Sequence, residues 1–146
     1  LRRKNDMKKR ILPLLFAVII VLFCASCKGG DTGSDGSVSF RNEVGVKITT
    51  LCISPARLDS WGDNLLNRGI RANRSFHLDV DRLLDGPGQD YDIEAVDKNG
   101  RTYEVYDVYI DADYTVVLSS DGSYAAAAVT DADGLTTVYD GISFQP

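Results

Sequence analysis

Trp61-Gly62-Asp63 sets an indole beside a carboxylate, a pairing suited to stacking on a sugar ring or a peptide side chain. The competing use is structural and is preferred. Trp61 lies four residues before Leu65, and Leu65-Leu66 needs burial, so the ring is expected to close one end of the core while Asp63 caps the short turn carrying the leucines. Asp131-Ala132-Asp133-Gly134, with Asp140 beyond it, has part of a calcium-loop spacing. In that frame the first ligand position falls on Val129, which cannot coordinate a cation. A type I′ or bulged hairpin turn explains Asp131 and Gly134 without a metal, so none is expected. His77 is the single histidine. Zinc needs more ligands than one His and one apolar-flanked Cys, and no Gly-x-Ser-x-Gly nucleophile motif occurs. Tyr103, Tyr106, Tyr109, Tyr114, Tyr124 and Tyr139 are the remaining lead, since a tyrosine row on a sheet face makes a binding surface. Tyr103 shares its parity with Val105 and Tyr106 with Val108, so all six cannot point inward. Trp61, Asp63, Tyr103 and Tyr106 are the candidate binding residues, and Asp131, Asp133 and Asp140 the weaker metal candidates. No cofactor and no catalytic residue is expected.

The remaining reactive group is a thiol near the N-terminus. Arg2, Arg3, Lys4, Lys8, Lys9 and Arg10 precede an apolar run, Ile11 to Ala25, of 15 residues. A positive segment, a short apolar stretch and a small-residue exit make a secretory signal. A permanent membrane span would need about 20 apolar residues. The exit Cys24-Ala25-Ser26-Cys27 resembles a lipobox, apart from Cys24 where Leu is usual. That resemblance implies cleavage before Cys27, diacylglycerol on its thiol, and a lipid anchor with more than one chain, as stable retention requires. Met7 opens the signal more naturally than Leu1, which makes residues 1–6 an upstream extension. Residues 1–26 are then the signal, and 27–37 a lipidated cysteine with a Gly/Ser/Asp tether. Residues 38–146 form the domain.

Removing the six basic residues and one acid of 1–26 from the totals of 16 and 21 leaves ten basic and twenty acidic residues. Such a chain is repelled by nucleic acid and steered, if at all, towards basic partners. Without Cys24 and Cys27, Cys52 has no intramolecular disulfide partner and reads as a small buried hydrophobe.

No stretch holds a helical period. Short β-branched and aromatic runs alternate with Gly/Asp/Asn turns, the all-β pattern. Strands are expected at Val38–Phe40, Val44–Ser54 with a bulge near Thr49-Thr50, Ser75–Val80 with His77 and Asp79 outward, Tyr91–Val96, Arg101–Ile110, Tyr114–Leu118, Tyr124–Val129, Leu135–Tyr139 and Gly141–Phe144. Pro55 to Arg68 is the irregular or short helical piece. Asp97–Gly100, Ser119–Gly122 and Asp131–Gly134 are turns, the first holding the Asn-Gly hairpin signal. Ala95-Val96, Gly100 and Tyr106-Asp107 echo Ala128-Val129, Gly134 and Tyr139-Asp140, as repeated turn chemistry or duplication would give. Consecutive hairpins with apolar faces to cover predict a β-sandwich of seven to nine mostly antiparallel strands.

Asn42, Ile53-Ser54-Pro55, Trp61-Gly62-Asp63-Asn64-Leu65-Leu66, Tyr91-Asp92-Ile93 and Asp97–Gly100 occur in that order. The stretch Asn42–Leu118 is similar to a set of small exported bacterial domains, a resemblance that implies an all-β exported module and no particular activity. The expectation is a lipoprotein of the cell envelope, anchored through Cys27 to the outer face of the cytoplasmic membrane or to an outer membrane. Its domain would be a non-catalytic binding or envelope module for a protein or carbohydrate ligand. Two alternatives are an inhibitor of a basic extracellular enzyme such as lysozyme, and a calcium-stabilised adhesion or sugar-binding module.

Overall fold

The computed structural model describes residues 36–145. Residues 1–35 and 146 lie outside the described residues, and with them the expectations for the signal, Cys27 and most of the tether.

The protein is all-β. Eight strands follow in order: β1 (Ser37–Glu43), β2 (Ile48–Pro55), β3 (Ser75–Asp79), β4 (Gln89–Asp97), β5 (Thr102–Ile110), β6 (Thr115–Ser120), β7 (Tyr124–Thr130) and β8 (Thr136–Phe144). They pair in one sheet of order β2-β4-β5-β8-β7-β6-β1-β3, with β1–β6 parallel and the other six pairings antiparallel. Leu135–Tyr139 and Gly141–Phe144, expected as two strands, are the single strand β8. The stretch expected to be helical, Pro55–Arg68, holds only turns and extended chain. The helical turn among the described residues is instead Val80–Arg82.

The sheet curls until its two ends share one core. Phe40 of β1, Ile48 and Leu51 of β2, Ile93 of β4, and Val116 and Leu118 of β6 line a common gap of about 10 Å³, room for no more than one water. The layers of the sandwich are therefore two halves of a continuous sheet, joined through β8. Tyr91, Tyr103, Leu78, Ile93, Val105, Val108 and Ile110 are buried in the same cluster. The described residues supply one contiguous core, drawn from seven of the eight strands, and a domain of about this size can fold alone.

Two bulges reconcile the alternation with this core. The expected one is present: Ile48 pairs with Asp97 and Thr50 with Val96, leaving Thr49 as the extra residue. Ile48 and Leu51 thereby both face inward. The second lies in β5, where Tyr106 and Asp107 stand against Asp92 alone. Tyr103 and Val105 before it and Val108 and Ile110 after it are all buried, although their parities conflict.

The β2 margin is sealed by the chain that follows it. The Leu51 N–H donates to Asn64 Oδ1 (3.0 Å) and the Leu51 carbonyl accepts from the Leu65 N–H (2.8 Å). Ile48 and Ile70 exchange both backbone bonds. Asn42, wholly buried, donates to the carbonyls of Val46 and Ile70 and accepts from the Val44 N–H. A buried amide with its bonds made ties β1 to this covering loop.

Candidate interaction surface

The β5 bulge also decides what faces outward. Asp107 adopts a left-handed φ of 55°, uncommon for a residue with a Cβ. Its N–H donates to Oδ1 of the buried Asp92 (3.0 Å), so a carboxylate that burial would otherwise penalise holds the strained position. The bulge brings Val108 and Ile110 back to the core, while Tyr106 keeps to the outer face with Glu104. There its ring meets Trp61, with centroids 5.8 Å apart and planes inclined by 42°, a tilted packing that aromatic quadrupoles favour. The Tyr106 hydroxyl donates to the Glu104 carboxylate.

Glu104 extends this pair across the sheet. It is the register partner of Glu94 on β4 and of Ile142 on β8, and Ile142 is in turn opposite Tyr124 on β7. Phe144 stands opposite Thr102, Val138 opposite Ala128, and Asp140 opposite Ala126. Because side chains alternate, Thr136, Val138, Asp140, Ile142 and Phe144 all leave β8 on its outer side. The result is a rigid face with Trp61 and Tyr106 at one end and Tyr124, Val138, Ile142 and Phe144 at the other, with Glu94, Glu104 and Asp140 set among them. Tyr124 is 68% exposed and Val138 62%, so nothing in the described residues covers them. The β5–β8 junction beneath them depends on Gly141, where a Cβ would stand 2.2 Å from the Glu104 carbonyl oxygen.

Three sequence expectations need correction. Trp61 does not close the core; it is half-buried on the outer face against Tyr106. Asp63 does not cap the leucine turn, because Asn64 does so, its Oδ1 also accepting from the Leu66 N–H (3.0 Å). Asp63 is exposed and lies near enough to Cys52 to act on its thiol electrostatically. Tyr103 is not a surface residue. It is 2% exposed, and its hydroxyl donates to Oδ2 of buried Asp97 (2.8 Å). Burial first, and then that hydrogen bond and charge, push Tyr103 up to about 12. Of the four candidate binding residues, then, the structure brings Trp61 and Tyr106 together, leaves Asp63 exposed on the same loop as Trp61, and buries Tyr103.

The remaining tyrosines do not form one row. Tyr109 and Tyr114 pack at 6.1 Å, and Tyr114 is raised by desolvation and by nearby Asp131, Tyr109, Asp111 and Tyr139. These groups therefore gather where β5 ends and the β7–β8 turn begins. Asp131 spends its carboxylate on its own turn, accepting from the N–H groups of Asp133 (3.0 Å) and Leu135 (2.8 Å). Gly134 follows at φ 87°. This is the bulged hairpin among the turns expected there. Asp140 lies further along β8, and among the described residues no three His, Cys, Asp or Glu side chains gather as a metal site. Cys52 is buried on the strand, and burial, Glu94 and Asp63 in that order raise its thiol, which disfavours the reactive thiolate. His77 is exposed on β3.

Glu94, Glu104, Val138, Ile142 and Phe144 were not singled out from the sequence, and Asn64 and Asp92 entered only within longer motifs, with no role of their own. The alternation Val138, Asp140, Ile142, Phe144 carried a signal for the outer face of β8. Nothing local marked Asp92, whose role depends on a bulge one strand away. Compared with protein-family models, curated proteins and solved structures, the chain finds no match.

Proposed function

We propose that this chain is an exported lipoprotein, held to a membrane of the cell envelope through lipid on Cys27, whose β domain is a non-catalytic binding module. The observation that carries the binding reading is the uncovered apolar face of β7 and β8, set on regular hydrogen-bonded strands beside the Trp61–Tyr106 pair. Isolated exposed apolar residues need no explanation, but several in register on one face mark an interaction site. Aromatic and aliphatic groups interspersed with carboxylates suit a protein surface or a carbohydrate carrying cationic groups. The buried Cys52, with its raised thiol, and the engaged Asp131 are poor reactive groups, which favours binding over chemistry.

The anchor is tested by labelling cells with an alkyne palmitate. The wild type should be labelled and membrane-bound, and Cys27→Ser unlabelled and released; equal labelling would remove the lipoprotein reading. The face is tested by substituting Tyr124, Ile142 and Phe144 together with Ser. Binding to envelope extracts should fall while the melting temperature holds within a few degrees. Retained binding would move the site elsewhere on the domain.

A further inference from the structure

The outer strand of that face also has an unfilled margin. β8 pairs with β7 along Thr136–Ile142 but with β5 only over Gly141–Phe144. The last β5–β8 pair, Val105 with Gly141, falls immediately before the Tyr106–Asp107 bulge. A bulge bends its strand and ends pairing, so past this point β5 follows β4 alone. The side of Thr136–Asp140 away from β7 therefore has no strand neighbour among the described residues. Such an edge is a template for an added strand unless it is covered or blocked. The β2 margin is sealed by Asn64, Leu65 and Ile70, yet among the described residues nothing covers this one, with Leu135 69% exposed and Val138 on its outer side. Thr136, Thr137, Val138 and Tyr139 are all residue types that favour strands.

Charge selects the occupant. Between Thr102 and Pro146 there is no Lys or Arg, while Glu104, Asp107, Asp111, Asp113, Asp121, Asp131, Asp133 and Asp140 are all acidic. Asp131, Asp133 and Asp140 lie on the β7–β8 turn and β8 itself, and Asp107 on the strand that turns away. A second copy of this chain would bring the same acids to the same edge and be repelled. Resting on the binding-module reading above, we infer that the Thr136–Asp140 edge of β8 accepts, by strand addition, an extended polypeptide segment in which apolar residues alternate with Lys or Arg. Main-chain bonds to β8 supply the pairing. The partner's outward apolar side chains continue the Val138–Ile142 face, and its cations, which alternation places on the side of Thr137 and Tyr139, meet Asp111 and Asp131, which gather with Tyr139 about Tyr114. Strand addition of this kind takes its affinity from the backbone and its specificity from alternate side chains.

The test uses the 36–146 domain and three synthetic nine-residue probes: an alternating Lys/Val peptide, an isomer with its lysines and valines in separate blocks, and an alternating peptide with N-methylated amides. Amide spectra are followed during titration. The alternating peptide should shift resonances centred on Thr136–Asp140, and raising salt from about 20 to about 300 mM should weaken it as surface charge is screened. The block isomer and the N-methylated peptide should bind at least about tenfold more weakly, the first because its side chains no longer divide between the two faces and the second because its amides have lost the N–H donors. Val138→Lys should abolish the shifts while leaving a dispersed spectrum, and Asp111→Asn with Asp131→Asn, each keeping the Oδ1 acceptor its own turn uses, should weaken binding without unfolding. Equal binding of the N-methylated peptide would overturn strand addition while leaving the face reading intact. Shifts centred away from β8, or no shifts at millimolar peptide, would overturn it as well.

Discussion

The β2 margin and the Thr136–Asp140 stretch of β8 are both sheet edges, and the molecule finishes them in opposite ways. The first is bonded by the Asn64–Ile70 segment of the loop that follows it, and a fully satisfied Asn42 anchors that loop to β1. The second has, among the described residues, only β7 beside it. Charge divides along similar lines. Residues 36–101 carry nine basic and ten acidic side chains, whereas residues 102–146 carry eight acids and no Lys or Arg. The near-neutral part closes on itself, and the acidic part keeps an edge and an apolar face in solvent. Repulsion among like charges protects an open edge from self-association, so that edge can stay uncovered without driving aggregation. Stability should accordingly depend on the sealed side and binding on the open one.

Asn42→Ala is expected to have the largest effect. It leaves the Val46 and Ile70 carbonyls and the Val44 N–H without their partner, and each abandoned buried group costs about 1–3 kcal/mol. A loss of about 4 kcal/mol in urea unfolding is expected, a large part of a domain's ~5–15 kcal/mol. A midpoint close to wild type would mean that the loop is not held through this amide.

Asn64→Ala should cost less, about 2 kcal/mol, because the Leu51 and Leu66 N–H groups it frees lie near solvent that can replace part of the bonding. Amide exchange at Leu51 should accelerate in this variant while that of Tyr103 in β5 keeps its protection. Uniform acceleration across the domain would show that the seal is not a local device.

Two matching hairpins sharpen the comparison further. Asp97 and Asp131 head turns of identical bonding, each side chain accepting from residues two and four ahead, with Gly100 and Gly134 at φ 84° and 87°. Only Asp97 is buried, and only it holds a tyrosine. Tyr103 sits at about 12 in the folded protein against about 10 unfolded. The folded state thus keeps its phenolic proton more tightly, so this contribution is complete below pH 10 and is lost as pH rises from 10 through 12. Tyr91, also raised by burial, adds to the same alkaline loss. Tyr103→Phe should lower stability at neutral pH and flatten the decline between pH 10 and 12. An unchanged slope would place the alkaline transition elsewhere.

The smallest effect belongs to the open margin. Val138→Thr keeps β-branching on a side chain already in water, and a surface change of this kind stays within about 0.5 kcal/mol. A larger destabilisation would show that Val138 is covered within the domain and not available to a partner.

Composition and alternation were sufficient for the all-β class, the strand number and the turns at Asp97, Ser119 and Asp131, because period-two patterning and turn chemistry are local properties. The phase slip in β2 likewise announced its bulge at Thr49. The echo of Gly100 in Gly134 was legible too, and the like bonding of the two turns accounts for it. The location of the outer face was not. Tyr103 and Tyr106 have opposite parity, so one must face outward, but Val105 and Val108 argue for opposite phases, and only the bulge pinned by Asp92, which brings both valines inward, leaves Tyr103 in the core and Tyr106 beside Trp61. Trp61 looked like a core plug from its spacing to Leu65, but a turn without helical periodicity gives that spacing no directional meaning. The open β8 edge was hidden for the same reason: it exists because β5 bends away at Val105, and strand pairing between segments some 40 residues apart is decided by the curl of the whole sheet.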